Sequence, residues 1–306
     1  MKTRTREIAV RIGLLVLSIL VAALFINATK SSVHVEGQGR IQAPPPSPGF
    51  PVKIGFIVPL SGDVQGFGES VRDGALIAVQ QAQAAGWNIE IVMADSQCNS
   101  QEAVNGANHL IFDEGVNYLV GAVCSSASIP ISEIAEANQV VQISPSSTNP
   151  QVTINPDGTN KEYVFRACFL DPFQGKVMAT VARDLGATKA AVLYDKGNDY
   201  VSALARYFKN SFINLGGWTP VYASYTNGQN DFSALLNQVS NANVDVLFLP
   251  DYFGRVNQIA EQANAMGLQT TFLGADGWDS PDLRLDLLEG AYFSAHFWPE
   301  DPRPVA

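Results

Sequence analysis

Two short apolar strands in this chain run straight into clusters of hydroxyls: Leu119-Val120-Gly121-Ala122-Val123-Cys124-Ser125-Ser126 and Gln142-Ile143-Ser144-Pro145-Ser146-Ser147-Thr148. Residues 127–138, after the first cluster, have helical apolar spacing. A Ser-rich turn at a helix N-terminus offers unpaired backbone N–H groups, hydroxyl donors and the positive end of the helix dipole. Such a turn can hold a carboxylate or another small anion. No acid–base residue lies beside either cluster, so the chemistry is binding rather than bond cleavage. Each serine taken alone would serve equally as a helix cap or turn former.

The elements that must position these turns follow a regular alternation. Strands are predicted at 52–59, 89–94, 118–123 and 140–143, with helices over 69–85, 101–114 and 127–138 between them. A second set has strands near 163–167, 190–194, 220–224, 245–249 and 271–274, separated by helices near 173–185, 201–214, 231–241 and 255–266. Alternation with short connections predicts an α/β fold of doubly wound parallel sheets. About 255 residues after residue 51 exceed one ordinary core. Two lobes are therefore expected, over 52–170 and 171–298, with the break near Cys168–Gln174. In open α/β sheets ligands sit beyond the carboxyl ends of the strands. Six polar or aromatic turns fall there: 60–68, 124–125, 146–148, 195–200, 250–252 and 275–278. Three belong to each lobe, which suggests a cleft closing around a small polar solute.

Residues 1–28 read as a targeting segment. Lys2, Arg4, Arg6 and Arg11 accompany an apolar run over 12–26 that would span about 22 Å as a helix, short of the roughly 30 Å hydrocarbon core. A secretory signal cleaved near Ala28 fits this pattern, with an uncleaved N-terminal anchor as the alternative. Residues 29–51, with Pro44-Pro45-Pro46-Ser47-Pro48-Gly49, form a semi-stiff linker. Net charge is −10, and about −13 once Lys2, Arg4, Arg6, Arg11 and Glu7 are removed. No basic stripe remains, which excludes nucleic acid as a partner. Three cysteines, Cys98, Cys124 and Cys168, leave one unpaired in any disulfide scheme. No CxxC or Cys/His ligand spacing occurs, so no metal site is expected. Trp87, Trp218 and Trp298 read as packing residues.

The order of motifs resembles the leucine/isoleucine/valine-binding family, extracytoplasmic solute receptors that serve ABC importers. The pieces that carry the resemblance are Pro59-Leu60-Ser61-Gly62, Val123-Cys124-Ser125-Ser126, Ser144-Pro145-Ser146-Ser147-Thr148-Asn149-Pro150 and Phe165-Arg166. They continue with Asp231-Phe232-Ser233, Gly274-Ala275-Asp276-Gly277-Trp278-Asp279-Ser280-Pro281 and Glu289-Gly290-Ala291-Tyr292-Phe293. The resemblance implies two lobes, a hinge crossed three times and an interlobe cleft. By matched position it gives Ser125 the ligand α-carboxylate and Thr148 a contact to the amino-acid backbone. It gives Ser146 a carbonyl accepting from the ammonium, with Ser147 in the same turn. Asp276, followed by Gly277, falls where the family carries an acid against that ammonium, as Asp in place of Glu. Phe67, a Trp in some members, Tyr200 and Tyr252 match aromatic positions around the ligand. Asp171 matches an acid just past the first crossing, although Asp before Pro172 is also a good N-cap. Cys98 and Cys124 match a disulfide pair, leaving Cys168 as an inert thiol.

The same resemblance expects residues 299–306 to begin a return crossing into a C-terminal portion that completes the first lobe. The chain stops at Pro302-Arg303-Pro304-Val305-Ala306, so the first lobe is expected to be incomplete and to expose apolar surface. The function expected is capture of a small amino acid, neutral or branched-chain, in the periplasm or another extracytoplasmic space, and its delivery to an ABC permease. No cofactor is expected, and the membrane enters only through the N-terminal segment. A related amide, urea or aromatic acid is the alternative solute. An exported α/β hydrolase would need a nucleophile on a sharp turn with a His partner. No Gly-x-Ser-x-Gly occurs, and none of His34, His109 and His296 falls in a predicted strand-end turn.

Overall fold

The apolar alternation of the sequence is realised as two parallel sheets. The computed structural model describes residues 51–297; the targeting segment, most of the linker, Trp298 and residues 299–306 lie outside them. The first sheet is built from β1 (Val52–Val58), β2 (Ile89–Asp95), β3 (Tyr118–Gly121), β4 (Val141–Ser144) and β5 (Val164–Arg166). Its helices are α1 (Gln65–Ala84), α2 (Ser100–Asn108), continued by a π-helical turn His109–Asp113, and α3 (Ser125–Ala137). The second lobe has α4 (Asp171–Asp184), β6 (Lys189–Asp195), α5 (Asp199–Asn214), β7 (Trp218–Tyr225) and α6 (Ser233–Ala242). It continues through β8 (Val246–Phe248), α7 (Phe253–Ala265), β9 (Thr271–Gly274) and β10 (Tyr292–Phe293).

Strand order is β2-β1-β3-β4-β5 in the first sheet and β10-β9-β8-β6-β7 in the second, and every pairing is parallel. The winding reverses between β1 and β3 in one sheet and between β6 and β8 in the other. Such switch points leave a crevice at the strand ends. The turns carrying Phe67 and Ser125 open at the first, and those carrying Tyr200 and Tyr252 at the second.

The second sheet is covered on both faces. Ala190, Val192, Val246, Phe248 and Leu273 meet Met178, Leu204 and Phe208 of α4 and α5. Ala191, Leu193 and Leu247 belong to the cluster that includes Leu236, Val256 and Ile259 of α6 and α7. Central parallel strands buried on two sides read as continuous apolar runs, which is why β6 and β8 were legible. The first sheet is buried against α2 and α3 through Ile57, Leu119 and Val164. On its other face, the partners Ile143 and Phe165 are 42% and 49% exposed, beside Tyr118 at 47%. These residues form an open apolar surface on that face of the first sheet.

Several element ends differ from the sequence expectation. Helix α1 starts at Gln65, four residues early, because Gly66 and Gly68 read as loop formers. Gly68 is instead required for packing: a Cβ there would lie 1.8 Å from the Pro59 carbonyl oxygen. Trp218, expected to pack, is 60% exposed, with the Lys189 ammonium 5.9 Å from its ring centroid. Cys98 and Cys124 form a disulfide with Cα atoms 5.5 Å apart. Cys168 is half-buried just past β5, and burial pushes its thiol up to about 11. The bridge closes a separation of 26 residues, so the paired Cys→Ser variant should be less stable by about 3–4 kcal/mol. Urea denaturation of the two proteins checks this; coincident midpoints would show that the bridge constrains nothing.

Candidate functional site

All six strand-end turns contribute to a single cavity of about 330 Å³ between the lobes. Phe67, Ser125, Ser146 and Thr148 line it from the first lobe, and Tyr200, Tyr252, Asp276 and Gly277 from the second. Its two ends differ in chemistry.

The first-lobe end is made of donors. Ser125 opens α3, and the Cys124 carbonyl accepts from the N–H groups of Ala127 and Ser128 at 3.1 and 2.9 Å. The N–H groups of Ser125 and Ser126 precede those bonds and have no intrahelical acceptor. Ser125 Oγ accepts from Asn149 N at 3.2 Å, which leaves its proton to donate. The second turn is braced against the first: Ser144 Oγ donates to Ala122 O at 2.8 Å and Ser146 Oγ to Val123 O at 3.0 Å. The Arg166 guanidinium donates to the carbonyls of Ser147 and Asn149 and to Thr153 Oγ1. Thr148 is 1% exposed, and its hydroxyl has no partner among the described residues.

The second-lobe end is an acid. Asp276 begins a 3₁₀ turn anchored by the fully buried Trp278, whose Nε1 donates to Leu249 O at 2.9 Å. Asp276 Oδ1 accepts from Tyr200 Oη at 2.7 Å and Gln174 Nε2 at 2.6 Å. His296 Nε2 lies 3.0 Å from Oδ2, which retains acceptor capacity. Gly277 makes room: a Cβ there would sit 3.1 Å from Tyr200 Oη and 2.9 Å from Asp251 O. Asp251 accepts from Tyr252 N at 2.7 Å and from Tyr225 Oη at 2.6 Å, which fixes the Tyr252 turn. Burial pushes the Asp251 carboxyl up to about 6 and holds the phenols of Tyr200 and Tyr252 well above their ordinary range. Both phenols are thus neutral walls. Phe67 reaches across from α1, edge-on to Phe253 at 5.6 Å and 6.3 Å from Tyr252.

A dipolar ion leaving water needs both ends paired. Donors at a helix N-terminus and a carboxylate opposite provide that pairing, and no Lys or Arg among the described residues lines the cavity. The sequence over residues 51–306 matches the family described as periplasmic binding protein. The chain belongs to the periplasmic binding protein family. It is 34% identical over 232 residues to the Leu/Ile/Val-binding protein homolog 3 of Brucella melitensis, covering 74% of this chain and 61% of that protein. It spans about three fifths of the length of such relatives. A leucine-binding protein structure from Thermotoga maritima superposes with a TM-score of 0.78 at 35% identity, covering 83% of this chain and 72% of that one. A branched-chain amino acid substrate-binding protein from Streptococcus pneumoniae, solved with isoleucine, gives 0.71 at 28% identity, covering 80% and 70%.

Two residues expected at the ligand of this periplasmic binding protein do not line the cavity. Ser147 is 1% exposed and turns into the first lobe. Its Oγ meets Ser128 Oγ at 2.7 Å and donates to the carbonyls of Ala122 and Val123. It braces the two Ser-rich turns by joining the Ser128 hydroxyl and the two strand-end carbonyls. Asp171 is fully buried and does not cap α4; Leu170 is the N-cap, without a side-chain bond. Asp171 N donates to Thr148 O at 3.0 Å, which sets the acid directly behind Thr148. Ser126, equally a candidate cap, ties the lobes together: its Oγ accepts from Asp199 N at 3.1 Å.

His296 was missed by sequence reasoning. The strands predicted from apolar spacing stop at 274, but β10 follows and ends at Phe293. His296 therefore does lie past a strand end, where it lines the cavity and stacks on Phe169 at 4.0 Å. Gln174, which bridges Asp276 and Ser294 Oγ, gave no signal beyond its helical position.

Proposed function

We propose that this chain captures a small neutral amino acid, of the branched-chain or similar aliphatic type, between its lobes in an extracytoplasmic space. In this reading it hands the ligand to the permease of an ABC importer. One observation carries the reading: Ser125 and Thr148 on one lobe and Asp276 on the other face the same small cavity. The α-carboxylate takes the α3 N-terminus and the Ser125 hydroxyl, and the ammonium takes Asp276, Thr148 and the Ser146 carbonyl. Phe67, Val71, Val123 and Tyr252 enclose the side chain. Because the two poles belong to different lobes, the ligand favours the closed arrangement. The names of the leucine- and isoleucine-binding relatives support an aliphatic ligand. Asp276 disfavours amides, urea and aromatic acids, which bring no ammonium to it.

Calorimetry of this chain against the twenty amino acids, benzoate and urea tests the reading. Ser125→Ala should weaken the preferred amino acid by about 1.5–3 kcal/mol, the worth of a hydrogen bond to a charged group. Binding of benzoate or urea with no response to any amino acid would refute it.

A further inference from the structure

Behind the ammonium pole lies an acid that the binding scheme leaves without a charge partner. Asp171 is fully buried, and neither of its carboxyl oxygens has a hydrogen-bond partner among the described residues. Thr148 Oγ1 and Gln174 Oε1 beside it are likewise unpaired. A bare carboxylate in such a place is costly, so the acid holds its proton until a cation comes close.

Among the described residues, the groups facing Asp171 supply no free cation. On β5, Arg166 is committed to Ser147, Asn149 and Thr153. Past that strand, burial keeps the Cys168 thiol protonated. The turn after β4 offers only the Thr148 hydroxyl, and the turn before α7 the neutral phenol of Tyr252. The turn after β9 brings Asp276, a second acid, with His296 on its far oxygen. On α4 itself, Gln174 is the facing residue. An ammonium seated on Asp276 and Thr148 would be the first uncommitted positive charge near Asp171.

We propose that capture of an ammonium-bearing ligand expels the proton of Asp171, so that uptake and proton release are one linked step. The protonated acid and the ammonium ligand give an Asp171 carboxylate facing the bound ammonium, and the proton passes to the buffer. The inference rests on the function proposed above. Burial is the main cause that pushes the Asp171 carboxyl up to about 8; Asp276 adds to it, against Thr148 and Arg166. At neutral pH there is accordingly a proton to expel.

The test is calorimetry with leucine at pH 7 in phosphate and in Tris, whose ionisation heats differ. Binding heats should differ between the buffers by an amount matching on the order of one proton released per leucine. Affinity should rise with pH by up to about tenfold per unit between pH 6 and 8. Asp171→Asn should erase both the buffer difference and the slope. Leucine binding with equal heats in the two buffers would overturn this inference and leave the proposed function standing. Proton release that survives Asp171→Asn would overturn it as well. Absence of binding by any amino acid would instead remove the function on which it rests. The two-buffer comparison uses the unaltered chain, so it decides the matter even should Asp171→Asn fold poorly.

Discussion

Asp276→Ala is expected to weaken amino-acid binding by at least about a hundredfold. The substitution removes the carboxylate proposed to pair with the ammonium, leaving Asp279 as the other acid lining the cavity among the described residues. It also leaves Tyr200 Oη and Gln174 Nε2, bonded to Oδ1 at 2.7 and 2.6 Å, without their acceptor. Removing one member of a desolvated charge pair costs about 3–5 kcal/mol, between a hundredfold and a few thousandfold in affinity. Asp276→Asn keeps an oxygen for Tyr200 but not the charge, and should fall between the two. The loss should also be specific to the ammonium. 4-Methylpentanoate, which is leucine without its amino group, should bind the wild type far more weakly than leucine does. In Asp276→Ala the two should converge. Titrations of both ligands against both proteins measure that coupling. A variant retaining leucine affinity within about threefold would move the ammonium elsewhere.

The turns were legible in the sequence because they obey two local rules at once. Apolar runs mark the buried strands, and a polar cluster after such a run marks a strand end, where open α/β sheets place ligands. Ser125, Thr148, Tyr252 and Asp276 stand at strand ends in this way, whereas Phe67, expected in the turn over 60–68, lies inside α1. Side-chain direction within a turn was not legible. Ser146 and Ser147 are adjacent and chemically identical and both donate to Val123 O, yet Ser146 borders the cavity while Ser147 packs on Ser128 inside the lobe. That choice depends on how the two turns pack together, a three-dimensional fact with no periodicity. His296 was hidden for a different reason. The short edge strand β10 pairs only at Tyr292 and Phe293, too few residues for alternation to mark its end. The open face carrying Ile143 and Phe165 was not legible from the residues, since neither announces exposure by type.

Asp171→Asn should stabilise the protein at neutral and alkaline pH, by an amount that grows as the pH rises. The sign follows from proton counting. In the unfolded chain the carboxyl titrates near the ordinary aspartate value of about 3.9, whereas in the folded protein burial pushes it up to about 8. Between these values the native state binds more protons than the unfolded state, so the stability of the wild type falls as pH increases. The ceiling on that loss is on the order of 5 kcal/mol from pH 4 to pH 8. Asp251, pushed up to about 6 by burial, contributes in the same direction, but its share is complete by about pH 7. The slope between pH 7 and 8 therefore isolates Asp171. Denaturant unfolding across that window should show the wild type losing stability while Asp171→Asn stays level, and the two proteins should converge near pH 4. A slope that persists in Asp171→Asn would assign the titration to another group. Saturating leucine sharpens the comparison, because an ammonium beside Asp171 would lower its proton affinity and flatten the wild-type slope, while the amide variant has no slope to lose.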